Sequence, residues 1–191
     1  MKEIKIFYDL ETTGVDPRKH GIHQIAGLVE VDGLIAEAFD IRAQPNPKAK
    51  IEPEALAVGG ITEDDLVLYP PMREAFRDFK AILAKYLDKY DKRDKAWLVG
   101  YNNRGFDDVF LRAWFGQNGD EYFGSWFWSD TVDVMVLASQ YLMSKRRDMP
   151  NFRLGTVAEY AGIETDKGRL HDAAYDVNLT RQLYYITTLG A

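Results

Sequence analysis

The chain has 191 residues, of which 46% are hydrophobic, and its formal net charge at pH 7 is −6. This length suits one domain with a full core, and the hydrophobic content excludes a disordered tail. The absence of cysteine excludes a disulfide framework and a thiolate metal site. No apolar run is long enough to span a bilayer. The acidic balance is atypical of a nucleic-acid binder. The lack of cysteine fits the cytoplasm, and one domain over residues 1–191 is expected.

The first half of the chain predicts three strands followed by a long helix. The strands are apolar and β-rich, with a turn at Asp32-Gly33 between the last two. The turn-rich stretch that follows is expected to hold one short helix around Pro53–Ala57, and apolar side chains at helical spacing then predict a helix over about 71–90. The three predicted strands are residues 4–10, 22–31 and 34–42.

The second half alternates between the two kinds of element. Residues 96–101 predict a strand, residues 105–117 a helix, and Trp126–Ser129 a further short strand. Helices are expected over the rest of the chain, at 131–144, 153–161 and 172–188. Strands alternating with helices indicate an α/β fold built around one sheet.

The first motif, FYDLETTG, places Asp9 and Glu11 at the end of the first strand. Residues two apart in a strand point to the same face, so both carboxylates project together. Gly14 then allows the chain to turn through a positive φ. The alternative interpretation of this motif by itself is a pair of acids at an exposed strand end.

The second motif, GYNNRGFDDVFL, follows the strand at 96–101. Asp107 falls near the start of the next helix, away from the apolar stripe that begins at Phe106. The alternative is an acid in the first turn that is favoured only by the helix dipole. That interpretation is the expectation for Asp108, which is predicted to be a solvated helix acid.

The third motif, LHDAAYDV, opens the last predicted helix. Asp172 is a plausible N-cap, which places His171 just before the helix and Asp176 in its second turn. A histidine outside the helix can swing over a neighbouring site, although a single histidine at such a position is more often a surface residue.

Together the three motifs supply four carboxylates and one histidine. Carboxylates that lie close together repel one another, and hard divalent cations with oxygen ligands resolve that conflict. A histidine beside them can accept a proton from a metal-activated water near neutral pH. A basic segment could contact phosphates or could equally be a solvated loop; it comprises Lys145, Arg146, Arg147 and Arg153.

The three motifs, in this order, resemble those of the DEDDh 3′→5′ exonuclease family, and their wording is closest to that of the bacterial exonuclease I group. The resemblance covers nearly the whole chain and includes the connecting segments SDTVDVMVLA and FRLGTVAEYAGI. It implies a ribonuclease-H-like α/β fold, in which helices flank a mixed central β-sheet. It also implies removal of nucleoside 5′-monophosphates from the 3′ end of nucleic acid, with DNA favoured over RNA.

The resemblance further implies a role for each motif residue. His171 becomes the general base, and two Mg²⁺ or Mn²⁺ ions are expected as cofactors. The resemblance implies that Thr12, Phe106 and Glu54 contact the 3′-terminal nucleotide. The bound nucleic acid is expected to be single-stranded. The implied metal ligands are Asp9, Glu11, Asp107 and Asp176.

Two positions depart from the family pattern, since many relatives carry a histidine where Gly59 and Asn102 stand here. Neither position belongs to the implied metal set. Two other functions stay open from the sequence. One is a non-catalytic nucleic-acid-binding or polymerase-accessory domain of the same fold. The other is a metal-dependent phosphohydrolase that acts on nucleotides or capped ends.

Overall fold

A computed structural model describes residues 2–190. Its centre is a five-stranded sheet with the order β3-β2-β1-β4-β5. β1 pairs antiparallel with β2, and β2 with β3, whereas β1–β4 and β4–β5 are parallel. This mixed sheet confirms the predicted α/β fold class. The strands are β1 (Ile4–Thr12), β2 (Ile22–Val31), β3 (Leu34–Arg42), β4 (Trp97–Gly100) and β5 (Val132–Asp133).

Within residues 2–190, eight α-helices connect and cover the strands. They are α1 (Pro53–Val58), α2 (Glu63–Val67), α3 (Met72–Tyr86), α4 (Asp107–Gln117), α5 (Phe123–Trp126), α6 (Val134–Tyr141), α7 (Leu154–Tyr160) and α8 (Ala173–Leu189). Two 3₁₀ segments, Asn103–Gly105 and Met143–Asp148, complete the described part of the chain. No helix among residues 2–190 is long and apolar enough to cross a membrane.

Alternation along β1 divides the core between the two faces of the sheet. Ile6 and Tyr8 lie on one face with residues of α3, α4 and α5, including Phe79 and Trp114. Phe7 lies on the other face, in a cluster supplied by α6, α7 and α8. Because helices cover both faces, β1 is buried along most of its length. Only its carboxyl end approaches the surface.

A buried ionic network fixes α8 against the sheet. Glu30 in β2 is 0% exposed and accepts a hydrogen bond of 2.7 Å from Arg181 Nε. The Tyr185 hydroxyl donates to the same carboxylate, and Lys5 Nζ lies 3.6 Å from it. A buried carboxylate needs such partners to offset its desolvation. The network therefore holds the helix whose first turns carry the third motif.

The sequence-based prediction of a strand at Trp126–Ser129 was wrong. That region begins as α5, and only Phe127 forms an isolated bridge, to Ala96. The strand that pairs with β4 at this edge of the sheet is β5 instead. The next helix therefore begins at Val134 rather than at residue 131. Aromatic residues such as Trp126 and Phe127 favour strands locally, but here both are buried by packing in the helical layer.

Candidate active site

The carboxyl end of β1 carries the first two acids on one face. Asp9 stands opposite Ala26 of β2 and Glu11 opposite Gln24, and both acids are partly exposed. The register shifts after Glu11, so the chain leaves the sheet at this point. At Gly14 a side chain would approach the ring of His20 to 2.6 Å, and φ is +157°. Glycine is therefore required for the turn that follows the first motif.

The loop after β1 is tied to the segment that leads into α1. Thr13 Oγ1 donates to the Lys50 carbonyl at 2.7 Å, and the Glu52 N–H donates to the Thr13 carbonyl at 2.9 Å. Thr12 is buried and donates to the Gly14 carbonyl. Glu54 lies in the first turn of α1 and is exposed. These bonds bring α1 to the end of β1. Thr12 and Glu54, which the resemblance implies as contacts to the terminal nucleotide, therefore lie on neighbouring segments.

Asp107 is the first residue of α4 and only 5% exposed. Its Oδ1 accepts a hydrogen bond of 3.1 Å from the Leu10 N–H, which lies between the two acids of the first motif. Asn102 enters the preceding 3₁₀ turn with a left-handed φ of 59°, and its N–H donates to Asp133 Oδ1. Asparagine tolerates this left-handed conformation, so α4 can begin a few residues after β4 ends.

Asp108 is not the solvated helix acid that the sequence predicted. It is partly buried and accepts a hydrogen bond from the hydroxyl of Tyr8, which is 2% exposed. Burial raises the pKa of Asp108, and the bond from Tyr8 opposes that shift. The alternation of β1 could have indicated the partner, since Tyr8 points into the core and a buried tyrosine hydroxyl needs a hydrogen bond.

The third motif is organised by a helix cap. Asp172 accepts hydrogen bonds from the N–H groups of Ala174 and Tyr175, which confirms the predicted N-cap. His171 therefore lies outside α8, with a left-handed φ of 72°, and its side chain is exposed. The His171 N–H donates to Asp176 Oδ2 at 3.2 Å, whereas the buried Asp176 Oδ1 has no partner among residues 2–190.

The four motif acids share one electrostatic environment. Burial, followed by the charges of Asp107, Glu11 and Asp176, holds the pKa of Asp9 well above its usual range. Burial, together with the charge of Asp176, raises the pKa of Glu11 to about 7. Burial also raises the pKa of Asp107 to about 8. The structure thus brings acids from three separate segments within electrostatic range.

The acids do not form a finished coordination shell. Within residues 2–190, no three acidic or histidine side chains are already arranged to hold a metal ion. The raised pKa values and the unpartnered Asp176 Oδ1 nevertheless mark a site with an excess of oxygen acceptors. No lysine or arginine is among the causes that shift the pKa values of Asp9 and Glu11. A set of four carboxylates without such a neighbour suits hard divalent cations.

The remaining predicted contacts lie around this cluster. Phe106 is partly exposed and packs against Phe110 at a ring distance of 5.0 Å. In the basic segment, Lys145 donates to the Tyr160 carbonyl and Arg146 lies over the ring of Phe152. Arg147 and Arg153 are exposed.

Comparison with known protein families identifies the class of protein. Residues 6–184 match the family model described as Exonuclease, so the chain belongs to this exonuclease family. It is 30% identical over 191 residues to exodeoxyribonuclease I of Escherichia coli, with 92% of this chain and 38% of that protein aligned. It is also 25% identical over 181 residues to the PolC-type DNA polymerase III of Mycoplasmopsis pulmonis, covering 95% of this chain and 11% of the polymerase.

Solved structures of E. coli exonuclease I share the fold. Its complex with a dT13 oligonucleotide superposes with a TM-score of 0.74 at 23% identity, covering 97% of this chain and 41% of that one. The apo enzyme gives a TM-score of 0.77 at 21% identity, covering 99% and 42%. These matches confirm the ribonuclease-H-like fold. The chain spans less than half the length of each of these relatives.

Proposed function

We propose that this protein is a metal-dependent 3′→5′ exonuclease that releases nucleoside 5′-monophosphates from nucleic acid. The observation that carries the proposal is the convergence of Asp9, Glu11, Asp107 and Asp176 beside His171. Family membership supports a hydrolytic nuclease. We also propose that residues 1–191 act as one exonuclease domain.

The four acids would hold two divalent cations, Mg²⁺ or Mn²⁺. Buried carboxylates that raise one another's pKa repel one another when ionised. Bound cations would relieve this repulsion, which supports the assignment. When bound, such ions would supply Lewis-acid activation of the attacking water and neutralisation of the charge on the leaving 3′ oxygen. The Leu10 N–H orients Asp107, and the His171 N–H orients Asp176, so two of the ligands are aligned by the backbone.

His171 would serve as the general base. Its side chain is exposed and lies outside α8, and its backbone N–H bonds to Asp176, five residues further along the chain. It would accept the proton of the attacking water as the new bond to phosphorus forms and the P–O3′ bond breaks. The proton then passes to solvent through the exposed side of the ring.

The terminal nucleotide would bind near Thr12, Phe106 and Glu54. Thr12 is buried at the turn that follows the acids, and the aromatic Phe106 precedes Asp107 and offers a stacking surface. Glu54, exposed on α1, would contact the 3′ hydroxyl. A site that recognises a free 3′ end explains exonucleolytic rather than internal cleavage.

DNA is the favoured substrate, because one relative is named an exodeoxyribonuclease and another a DNA polymerase. A single-stranded 3′ end is proposed, since the oligonucleotide complexes of E. coli exonuclease I contain dT13 and dA16. The PolC-type relatives also suggest a polymerase or repair partner.

The test is digestion of 5′-labelled single- and double-stranded DNA and RNA with Mg²⁺ or Mn²⁺. We expect a ladder of single-nucleotide steps that a chelator abolishes and a 3′-phosphate slows strongly. Rapid cutting of circular single strands would overturn the exonuclease proposal. Hydrolysis of free nucleotides without shortening of strands would favour a nucleotide phosphohydrolase, and binding without any cleavage would favour an accessory domain.

A further inference from the structure

His20 is a buried histidine in the loop between β1 and β2, outside the three motifs, and it is 5% exposed. Its Nδ1 accepts a hydrogen bond of 2.9 Å from the Asp16 N–H. A neutral imidazole whose Nδ1 is an acceptor carries its proton on Nε2. That Nε2 lies 3.1 Å from Glu52 Oε1. The ring therefore has one polar contact within its own loop and one with the segment that leads into α1.

The face of the His20 ring packs against the turn that follows the first motif. A Cβ at Gly14 would lie 2.6 Å from each of three ring atoms, Cγ, Cδ2 and Nε2. Equal distances to three ring atoms place the face of the ring, rather than its edge, against the Gly14 backbone. The carbonyl of Gly14 in turn accepts a hydrogen bond of 2.8 Å from Thr12 Oγ1. A shift of the His20 ring would therefore reach Thr12 through a single intervening residue.

Glu52 links His20 to the first turn of α1. It is the N-cap residue of this helix, but its side chain makes no capping hydrogen bond. The carboxylate is instead directed at His20, while the Glu52 N–H donates to the Thr13 carbonyl. Glu54 lies only two residues further, in the first turn of α1. The contact between His20 and Glu52 therefore bears on the end of the helix that carries Glu54.

We propose that His20 is a positioning residue for the exonuclease reaction. It fixes the separation between the turn that carries Thr12 and the start of α1, which carries Glu54. It acts through these two residues rather than by touching the substrate, and so it sets how well the 3′ hydroxyl of the terminal nucleotide is recognised. The inference rests on the proposed function and gives a role to a buried histidine that the three motifs do not include.

Two substitutions at His20 separate the two polar contacts of the ring. In His20→Asn, the side-chain oxygen takes the place of Nδ1 and keeps an acceptor for the Asp16 N–H, but the side chain is too short to reach Glu52. In His20→Gln, the terminal NH₂ takes the place of Nε2 and keeps a donor for Glu52, whereas the acceptor for Asp16 is lost. Both variants remove the ring from Gly14, so both should lower the Tm to a similar extent.

The experiment compares these variants with Glu52→Ala, which removes the acceptor, and Glu52→Gln, which keeps an oxygen. Glu74→Ala is the matched control, because Glu74 is an exposed acid in the first turn of α3, a helix that carries no proposed site residue. The substrates are two 5′-labelled single-stranded DNA oligonucleotides, one with a 3′ hydroxyl and one that ends in a 2′,3′-dideoxynucleotide. The readouts are kcat and KM for the first cleavage of each strand. Thermal melts establish that each variant is folded.

We expect the wild type to prefer the strand with the 3′ hydroxyl. His20→Asn and Glu52→Ala should raise KM for that strand by about two- to tenfold, the effect of one hydrogen bond, and should reduce the preference by a similar factor. The kcat should change less than KM, because the four motif acids and His171 keep their own contacts. His20→Gln and Glu52→Gln should retain most of the preference, and Glu74→Ala all of it.

Three results would overturn the inference alone. An equal loss of preference in His20→Asn and His20→Gln, in step with Tm, would mean that His20 only stabilises its loop. Unchanged KM and preference in folded His20→Asn and Glu52→Ala would mean that this contact does not position the site. A wild type that shortens both strands equally would mean that no 3′-hydroxyl site exists to be positioned. A wild type that shortens neither strand would refute the proposed function itself, so the failures are distinguishable.

Discussion

The N–H of Leu10 donates a hydrogen bond of 3.1 Å to Asp107 Oδ1, which joins residues 97 positions apart in the chain. Leu10 lies between Asp9 and Glu11, so this bond sets the start of α4 against the end of β1. This one hydrogen bond fixes the position of Asp107 relative to the strand that carries Asp9 and Glu11.

Asp107→Asn should stabilise the metal-free protein while abolishing activity. Burial raises the pKa of Asp107 to about 8, so the folded state binds its proton more tightly than the unfolded state. The stability from this group is full below about pH 4 and is lost as pH rises toward 8. The asparagine keeps an oxygen for the Leu10 N–H but does not ionise. Thermal melts with chelator at pH 5, 7 and 9 should show a growing advantage for the variant.

Mn²⁺ should stabilise the wild type more at pH 8.5 than at pH 6. A cation must displace protons from carboxylates whose pKa values are raised, such as Glu11 at about 7 and Asp107 at about 8. The increase in Tm on adding Mn²⁺ should therefore grow with pH and be smaller in Asp107→Asn. An increase that is equal at both pH values and in both proteins would mean that these acids do not share a cation site.

His171→Ala should lower kcat by about 10²–10⁴-fold, because the proposed base is lost. The bond to Asp176 comes from the backbone N–H of His171, so the Mn²⁺-dependent rise in Tm should be retained. His171→Asn is the matched control, since asparagine tolerates the left-handed φ of 72° that alanine does not favour. Both variants should be inactive to the same degree. Near-normal turnover in either would remove His171 as the base.

Asp172→Ala should destabilise the protein by about 0.5–2 kcal/mol, because it removes the N-cap of α8. Its carboxylate accepts from the N–H groups of Ala174 and Tyr175, and the neighbouring His171 and Asp176 depend on this turn. We expect lower Tm and lower kcat together. Asp172→Ser, which retains a capping oxygen, should recover most of both; a serine variant as impaired as the alanine variant would point to a role other than capping.

Tyr8→Phe should cost about 1–3 kcal/mol, since it leaves the partly buried Asp108 without one of its donors. Because Asp108 is adjacent to Asp107, kcat should also fall, with KM little changed. Tyr90→Phe makes the same chemical change at a side chain that is 83% exposed and should alter neither property. Urea unfolding and steady-state kinetics on the two variants provide the measurements.

Arg147→Ala should raise KM for oligonucleotides and reduce the slope of log KM against log salt, by about one unit if the side chain neutralises one phosphate. Arg147 is exposed in the 3₁₀ segment after α6, whereas its neighbour Arg146 already packs over Phe152. Arg93→Ala is the control for a general loss of positive charge. Equal KM and equal salt slopes in both variants would identify the basic segment as a solvated loop.

Local sequence patterns were sufficient to predict several strands, a helix cap and the candidate acids of this protein. The bounds predicted for β2 and β3 match the structure, because β-rich composition and the Asp32-Gly33 turn act within a few residues. The cap at Asp172 could be predicted for the same reason, and so could the shared face of Asp9 and Glu11. The candidate acids were recognisable from short motifs whose order along the chain is typical of one family.

Tertiary packing decided what local patterns could not. The aromatic run at Trp126 and Phe127 favoured a strand, but burial among the helices overrode that preference. Asp108 was predicted to be a solvated helix acid, but β1 places Tyr8 against it. Burial lowers the pKa of His23 to about 4, which no local pattern indicates. The physical reason is range: propensities and caps act over a few residues, whereas pKa values and hydrogen-bond partners depend on burial and on charges that are distant in the chain.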